Sequence, residues 1–131
     1  MRIGRTAVRV VLLFSMVGAA KERHYPLPSS AVITIGQLHI DPKTDSTDID
    51  SCKFYHLTES DIRKQFRTYH QIDQKELHDR YSYVYCWIEG TVQVKGKTYI
   101  WESHLDNVLI TTYPDGVKKM LGGEPSGELS Q

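Results

Sequence analysis

The sequence predicts a single α+β domain in which an antiparallel sheet of four to five strands carries one main helix packed on one face. Between Tyr81 and Leu121 apolar and polar residues alternate, as they do in half-buried strands. Turn residues interrupt this alternation at three places, Lys95-Gly96, Asp106-Asn107 and Pro114-Asp115-Gly116. Between Leu57 and His70 the apolar spacing is instead that of an amphipathic helix. A chain of 131 residues suits one core, which we place at residues 31–121.

The first 20 residues have the pattern of a secretory signal peptide. Three arginines precede an apolar run from Val10 to Val17 that only Ser15 interrupts, and Ala19 and Ala20 offer a cleavage point for signal peptidase. The run is shorter than the roughly 20 residues needed to cross a bilayer core, so we expect cleavage and no stable membrane anchor afterwards. The chain is therefore predicted to be exported, either to the periplasm or out of the cell.

Cleavage at this point would leave 13 Lys and Arg against 16 Asp and Glu, a net charge of −3 with neutral histidines. Nucleic-acid binding depends on clustered Lys and Arg that release counterions from phosphates. The only local cluster of basic residues lies in the main helix, where acids are interleaved with them. No nucleic-acid partner is expected.

The two cysteines, Cys52 and Cys86, are expected to form a disulfide. An even number of cysteines in an exported chain is what one bridge requires. A catalytic thiol and a metal site are the alternatives, but no CxxC or CxxH spacing occurs. The bridge would close a loop around the main helix and stabilise the fold by roughly 4 kcal/mol at most in the chain-entropy model.

Three segments lead from the predicted cleavage point to the main helix. Residues 21–30 contain two prolines and no periodicity, which predicts a flexible lead-in. Residues 31–40 are rich in β-branched side chains and predict a strand, whose alternation puts Ile33 and Leu38 on opposite faces. Residues 41–51 are polar and acidic, which predicts a solvated loop. They lack the glycine and the closing Glu of an EF-hand, so no calcium site is expected.

The main helix carries its own start signal. Thr58 suits the N-cap, and Asp61 suits the capping-box position three residues later. The apolar stripe expected to pack on the sheet consists of Ile62, Phe66 and Tyr69. Residues 71–80 permit either a continuation of the helix or an irregular connection. Residues 122–131 contain too little apolar surface to order themselves and predict a disordered tail.

A two-residue hairpin turn at Lys95-Gly96 would fix the register of the first two strands after the helix. On one face it places Gly90 opposite Trp101, where the small residue leaves room for the large ring. On the other face it places Glu89 opposite Glu102 and Trp87 opposite His104. The first face, which also carries Ile88 and Val92, is the predicted core face.

The second face holds the candidate binding residues Tyr83, Tyr85, Trp87, Glu89, Glu102 and His104. Like charges directly opposite each other destabilise a sheet. A pair of carboxylates in that position therefore indicates a shared proton, a bound cation or a partner's basic group. A longer turn would shift the register and separate the acids, and this alternative stays open at the level of sequence.

No sequence motif assigns a reaction. The six histidines form neither HxH nor HExxH, and GxSxG, P-loop and GxGxxG motifs do not occur. A Cys–His dyad would need a free Cys86, and the apolar row in which that residue stands does not suit an activated thiolate. No catalytic residue, metal or cofactor is predicted.

Two stretches together resemble a group of small exported bacterial proteins of unknown function. One is CKFYHLTESDIRKQF, a short aromatic segment that enters an LTE-type helix start. The other is CWIEGTVQVKGKTYIWE, a cysteine followed by a glycine and a GKxYxW hairpin. The resemblance covers residues 52–102 and implies a bacterial exported protein. It implies no catalytic residue.

Three functions from different classes are compatible with these patterns. The leading hypothesis is a non-enzymatic exported binding module, such as an inhibitor or immunity-type protein acting on another protein, because aromatic residues stand beside acids without any catalytic motif. The second is a small envelope hydrolase or lyase that uses Glu89, Glu102 and His104. The third is an envelope structural or stress protein, indicated by the export signal alone.

Overall fold

The computed structural model describes residues 24–81 and 86–124, and within them the fold is α+β. Six antiparallel strands form one sheet: β1 Val32–Ile40, β2 His70–Gln71, β3 Cys86–Val94, β4 Lys97–His104, β5 Val108–Thr112 and β6 Lys118–Gly122. Their order across the sheet is β1-β3-β4-β5-β6-β2. The predicted class is confirmed, but four to five strands were too few. The additional strand β2 has only two residues, too short to leave an alternating pattern in the sequence.

Three helices lie in the described ranges, where the sequence predicted one: α1 Ser46–Lys53, α2 Glu59–Thr68 and α3 Gln74–Arg80. The predicted loop at residues 41–51 was therefore wrong in its second half. Asp45 caps α1, since its carboxylate accepts from the Asp48 N–H at 3.0 Å. The sequence did not predict this helix, because Cys52 is its only buried residue and no apolar stripe results.

Helix α2 begins as predicted. The Thr58 hydroxyl accepts from the Asp61 N–H at 3.2 Å, and the Asp61 carboxylate accepts from the Thr58 N–H at 2.9 Å, which completes the capping box. The helix ends at Thr68, because Tyr69 adopts extended backbone and leads directly into β2. Residues 71–80, left undecided by the sequence, contain the end of β2 and the separate helix α3.

The core lies between α2 and one face of the sheet. Helix residues Ile62 and Phe66 pack there against buried strand residues, namely Ile33, Ile88, Val92, Trp101, Leu109 and Leu121. Gly90 faces Trp101 as predicted, and a Cβ at that position would overlap both the indole ring and the Thr34 carbonyl. The close approach of β1, β3 and the Trp101 ring therefore requires glycine at position 90.

A smaller cluster lies on the other face of the sheet. It joins Ile72, Tyr81 and Val108, with Leu77 of α3 and Ile110 and Met120 packed against them. Helix α3 thus covers the part of that face formed by β5 and β6. The two faces of the sheet are consequently covered to different extents.

The tight turn and the disulfide are both confirmed. Lys95 and Gly96 have φ values of 51° and 77°, as a two-residue hairpin turn requires, and the resulting register is the predicted one. Cys52 and Cys86 form a disulfide with a Cα–Cα distance of 6.1 Å. It connects the end of α1 to the first residue of β3.

A bulge in β1 corrects the predicted alternation of that strand. Ile35 pairs with Gly90 and Leu38 with Ile88, so two residues of β1 stand opposite Glu89 alone. Ile33 and Leu38, predicted on opposite faces, therefore both point toward the core side. A Cβ at Gly36 would collide with the Glu89 carbonyl oxygen, so glycine is needed where the bulged strand approaches β3.

The described part of the lead-in makes specific contacts with the domain. The Tyr25 N–H donates to the Phe66 carbonyl at 3.2 Å, and the Tyr25 hydroxyl donates to Gln71 Oε1 at 2.7 Å. Lys119 Nζ lies 4.7 Å from the centre of the Tyr25 ring. At the other end, the Gly123 N–H donates to the Asn107 carbonyl at 2.9 Å.

The predicted signal peptide and residues 125–131 of the predicted tail lie outside the described residues. Within residues 24–81 and 86–124, no helix has the length and apolar character needed to cross a membrane.

Candidate binding face

The face of the sheet opposite α2 carries the predicted site. Helix α3 covers its β5 and β6 part, whereas α1 and α2 pack on the other side of the sheet. Over β1, β3 and β4 the described chain places no helix. We call this part the open face and define it by His39, Trp87, Glu89, Glu102 and His104. The half-exposed side chain of Ile100 lies on it as well.

Two backbone features bring these side chains together. The tight turn after β3 places Trp87 opposite His104 and Glu89 opposite Glu102. The bulge in β1 places His39 opposite Trp87. Without the bulge, His39 would share the face of Ile33 and point toward α2.

His39, Trp87 and His104 form a row of stacked rings across three adjacent strands, which we call the ring row. The His39 and Trp87 ring centres are 5.4 Å apart with an interplanar angle of 16°. The Trp87 and His104 ring centres are 5.5 Å apart with an angle of 24°. Stacked ring pairs of this kind contribute about 0.5–1.5 kcal/mol beyond the area that they bury. The ring row is therefore a fixed aromatic platform.

Each histidine of the ring row contacts one glutamate. His39 Nε2 lies 3.5 Å from Glu89 Oε2, and His104 Nε2 lies 3.3 Å from Glu102 Oε2. The two glutamate side chains are 45% and 33% exposed. Among residues 24–81 and 86–124, no Lys or Arg forms an ion pair with either carboxylate. The open face thus presents two partly exposed acids that pair with no Lys or Arg of the described ranges.

Burial lowers the pKa of His104 below its usual value, and the hydrogen bond and negative charge of Glu102 offset this only in part. Because an unperturbed histidine already titrates near pH 6.5, the His104 imidazole is neutral at pH 7. A neutral imidazole leaves the negative charge of Glu102 in place. It also has a free lone pair that can accept a proton.

Trp87 holds a buried polar atom without a partner. Its Nε1 is shielded from solvent and has no hydrogen-bond acceptor in the described structure. An unsatisfied buried donor of this kind costs roughly 1–3 kcal/mol. The indole N–H of Trp87 therefore adds nothing to the stability of the fold.

The structure brings Trp87, Glu89, Glu102 and His104 onto one face. Tyr83 and Tyr85, the other two predicted binding residues, lie outside the described residues. His39 belongs to the open face and was missed, because strict alternation placed it on the side of Ile33. Gly36 inside the strand was a local signal of a bulge, but only the pairing of β1 with β3 establishes it and places His39.

A polar network lies on the opposite side of the sheet, beneath α2. The Tyr55 hydroxyl lies 2.9 Å from Ser103 Oγ, which donates to Gln65 Oε1 at 2.8 Å. Burial raises the pKa of Tyr55. Nearby, burial also raises the pKa of Asp106 to about 6, although a hydrogen bond from its own backbone N–H acts in the other direction.

A groove of about 510 Å³ runs along α2 on this side, lined in part by Asp61, Lys64, Tyr69 and Asn107. None of the residues that define the open face lines it. The open face is therefore separate from this groove.

Within the part of the chain that the structure describes, no group of three or more His, Cys, Asp and Glu side chains could hold a metal ion. The chain matches no family model, no curated protein and no solved structure. The open face thus consists of a row of three stacked rings beside two carboxylates.

Proposed function

We propose that this chain is an exported, non-enzymatic binding module that recognises another protein through the open face, in the manner of an inhibitor or an immunity-type protein. The observation that carries the proposal is the ring row, which stands beside two partly exposed carboxylates on a sheet face over which residues 24–81 and 86–124 place no helix. Tryptophan is enriched among the residues that dominate protein–protein binding energy, and pre-packed rings lose little conformational entropy on binding.

Export is supported by two independent features. The disulfide between Cys52 and Cys86 is of the kind that persists in oxidising compartments. The first 20 residues have the composition of a signal peptide that is removed after translocation. Both features fit a protein that meets its partner in the bacterial periplasm or outside the cell.

The shape of the open face favours binding over catalysis. Its side chains project from the middle of three strands, and the groove along α2 involves none of them. A central aromatic residue with a polar surround is typical of protein interfaces. Ile100, 42% exposed on the same face, adds apolar area beside the acids.

A capture experiment tests the proposal. The mature protein is immobilised and exposed to periplasmic extract, in parallel with Trp87→Ala and Phe54→Ala variants. Phe54 is the matched control, because it is an aromatic side chain that is 84% exposed and stands outside the open face. We expect a partner that wild type and Phe54→Ala both retain and that Trp87→Ala loses. A partner that Trp87→Ala still captures at full yield would show that the open face is not the binding surface.

A small hydrolase or lyase is the second candidate, and one observation favours it. His104 is neutral at pH 7 and lies 3.3 Å from Glu102, so it can accept a proton while the carboxylate stabilises the resulting cation. Turnover of envelope polymers by the purified protein, abolished in Glu102→Gln, would support this function. A Glu102→Gln variant with unchanged turnover would exclude Glu102 from the reaction.

A further inference from the structure

The charge on the open face lacks a partner within the described chain. Glu89 and Glu102 stand directly opposite each other on β3 and β4, an arrangement that is unfavourable between like charges. The ion pairs that these two acids form within residues 24–81 and 86–124 are with histidines alone. Because His104 is neutral at pH 7, the acid pair keeps a negative charge that an incoming cation would neutralise.

The surroundings of the two acids select among cations. A guanidinium group is planar, stacks on aromatic side chains and offers parallel N–H donors that match a carboxylate. The open face supplies both elements within one patch: both faces of Trp87 are already stacked on histidines, and the partly exposed rings of His39 and His104, which contact Glu89 and Glu102, are left for the guanidinium plane. A lysine ammonium could use the carboxylates but gains less from a stacked surface.

Ile100 offers an apolar surface for the aliphatic stem of an arginine side chain. It lies on β4 two residues before Glu102, faces the same side of the sheet and is 42% exposed. The aliphatic stem of an arginine commonly packs on apolar surface while its head group is paired. The patch therefore offers a place for the stem beside a place for the head group.

We propose that the open face recognises an arginine presented by a basic segment of the partner protein, with Glu89 and Glu102 pairing with the guanidinium beside the ring row. This inference rests on the proposed function and names the chemistry of the partner. The complementary charge identifies the occupant, because an acidic segment would be repelled by the paired glutamates and a neutral one would leave them unpaired.

Trp87 provides a built-in reporter for the test. The chain has two tryptophans, and Trp101 is fully buried in the core, so a change in tryptophan fluorescence on adding a peptide reports on Trp87. The probe is the capped peptide Gly-Arg-Gly-Arg-Gly. The same peptide with citrulline in place of arginine keeps the shape and removes the charge, and the lysine peptide keeps the charge and removes the planar head group.

We expect the arginine peptide to bind at least tenfold more tightly than the citrulline peptide, and more tightly than the lysine peptide. The double variant Glu89→Gln/Glu102→Gln should lose at least tenfold in affinity. The control Glu59→Gln/Glu76→Gln should keep it, because these acids lie in the first turns of α2 and α3. Affinity of the wild type should also fall as salt is raised.

Three results would overturn the inference: equal affinity for the citrulline peptide, equal affinity in the two double variants, or no saturable response up to about 10 mM peptide, a concentration beyond that of most specific binding. The capture experiment separates this failure from failure of the proposed function. A captured partner that depends on Trp87 but is retained by Glu89→Gln/Glu102→Gln would leave the binding function standing and remove arginine as its determinant.

Discussion

The two tryptophans lie on neighbouring strands and differ in almost every physical respect. Trp101 is fully buried against Gly90, and its Nε1 donates to the Thr91 carbonyl at 3.1 Å. Trp87 is partly exposed, stacks between two histidines, and has an Nε1 without a partner in the described structure. The side under α2 therefore fills its space, although Thr111 Oγ1 on that side, like Trp87 Nε1, has no partner among the described residues. The open face combines its unsatisfied donor with two opposed acids, an arrangement that favours function at a cost in stability.

The largest expected effect is the loss of Trp101. Trp101→Ala should lower the free energy of unfolding by about 3–5 kcal/mol, because it leaves a cavity in a packed core. Trp87→Ala should lower it by a smaller amount, about 1–2 kcal/mol, since the loss of two stacked ring pairs is offset in part by the removal of an unsatisfied donor. Urea denaturation of both variants measures the difference. Equal losses of unfolding free energy in the two variants would mean that both faces of the sheet contribute alike to stability.

Removal of the disulfide should have the next largest effect. Cys52 and Cys86 are 34 residues apart in sequence, and the bridge should be worth roughly 2–4 kcal/mol through its constraint on the unfolded chain. Cys86 directly precedes Trp87 but is fully buried on the side of the sheet that packs against α2. The variant Cys52→Ala/Cys86→Ala should therefore lose stability in urea while its folded form keeps the fluorescence spectrum of Trp87. A shifted spectrum would show that the bridge also positions the ring row.

Asp106 lies in the turn between β4 and β5, where its carboxyl group is buried. Its pKa is raised from 3.8 to about 6 in the folded protein, so the folded state binds the proton more tightly than the unfolded state. The stability that this proton provides is complete below pH 3.8 and is lost as the pH rises through 6. At pH 7 the carboxyl group is ionised and its burial lowers the stability of the folded state. Asp106→Asn should then stabilise the protein by roughly 1–3 kcal/mol.

Urea denaturation at pH 7 and at pH 4 tests whether Asp106→Asn stabilises the protein in this pH-dependent way. The gain from Asp106→Asn should be present at pH 7 and should shrink toward zero at pH 4, where the carboxyl of the wild type is protonated in the folded state. Asp50→Asn, at an exposed position in α1, is the control and should show no such change between the two pH values. A variant that is less stable than wild type at pH 7 would mean that the Asp106 carboxylate is paired.

The smallest expected effect is a gain in stability, whereas most substitutions destabilise a protein. Glu89→Gln should stabilise the protein by about 0.2–0.5 kcal/mol, because it removes the repulsion between opposed carboxylates while keeping the side-chain shape. The same change should weaken binding of an arginine peptide. Thermal and urea unfolding measure the first effect. A loss of stability in Glu89→Gln would indicate that the acid pair supports the fold, and would weaken the contrast between the two faces.

Local chemistry made much of this fold predictable. The hairpin register followed from Lys95-Gly96, because only a few turn types connect two strands with two residues. The start of α2 followed from Thr58 and Asp61, which satisfy each other's backbone donors. Four of the five residues that define the open face were identified from that hairpin register alone. In each case the interacting residues are close in sequence or joined by one tight turn.

The remaining features depend on distant contacts. Helix α1 is held by an Asp45 cap and the disulfide, and its polar sequence resembles a loop. Strand β2 exists because His70 and Gln71 pair with Leu121 and Gly122, some fifty residues further along. The fifth open-face residue, His39, was missed for the same reason, since its orientation is decided by the way β1 pairs with β3.

The bulge in β1 makes this surface depend on strand pairing rather than on composition. Counting from Ile33, the side on which each later residue of the strand emerges is a matter of odd or even, and the extra residue beside Gly36 changes that parity once. Deleting Gln37 would remove the extra residue and let β1 alternate regularly, which keeps His39 on the open face. A pairing that kept every residue but lost the bulge would instead turn His39 inward and shorten the stack to two rings.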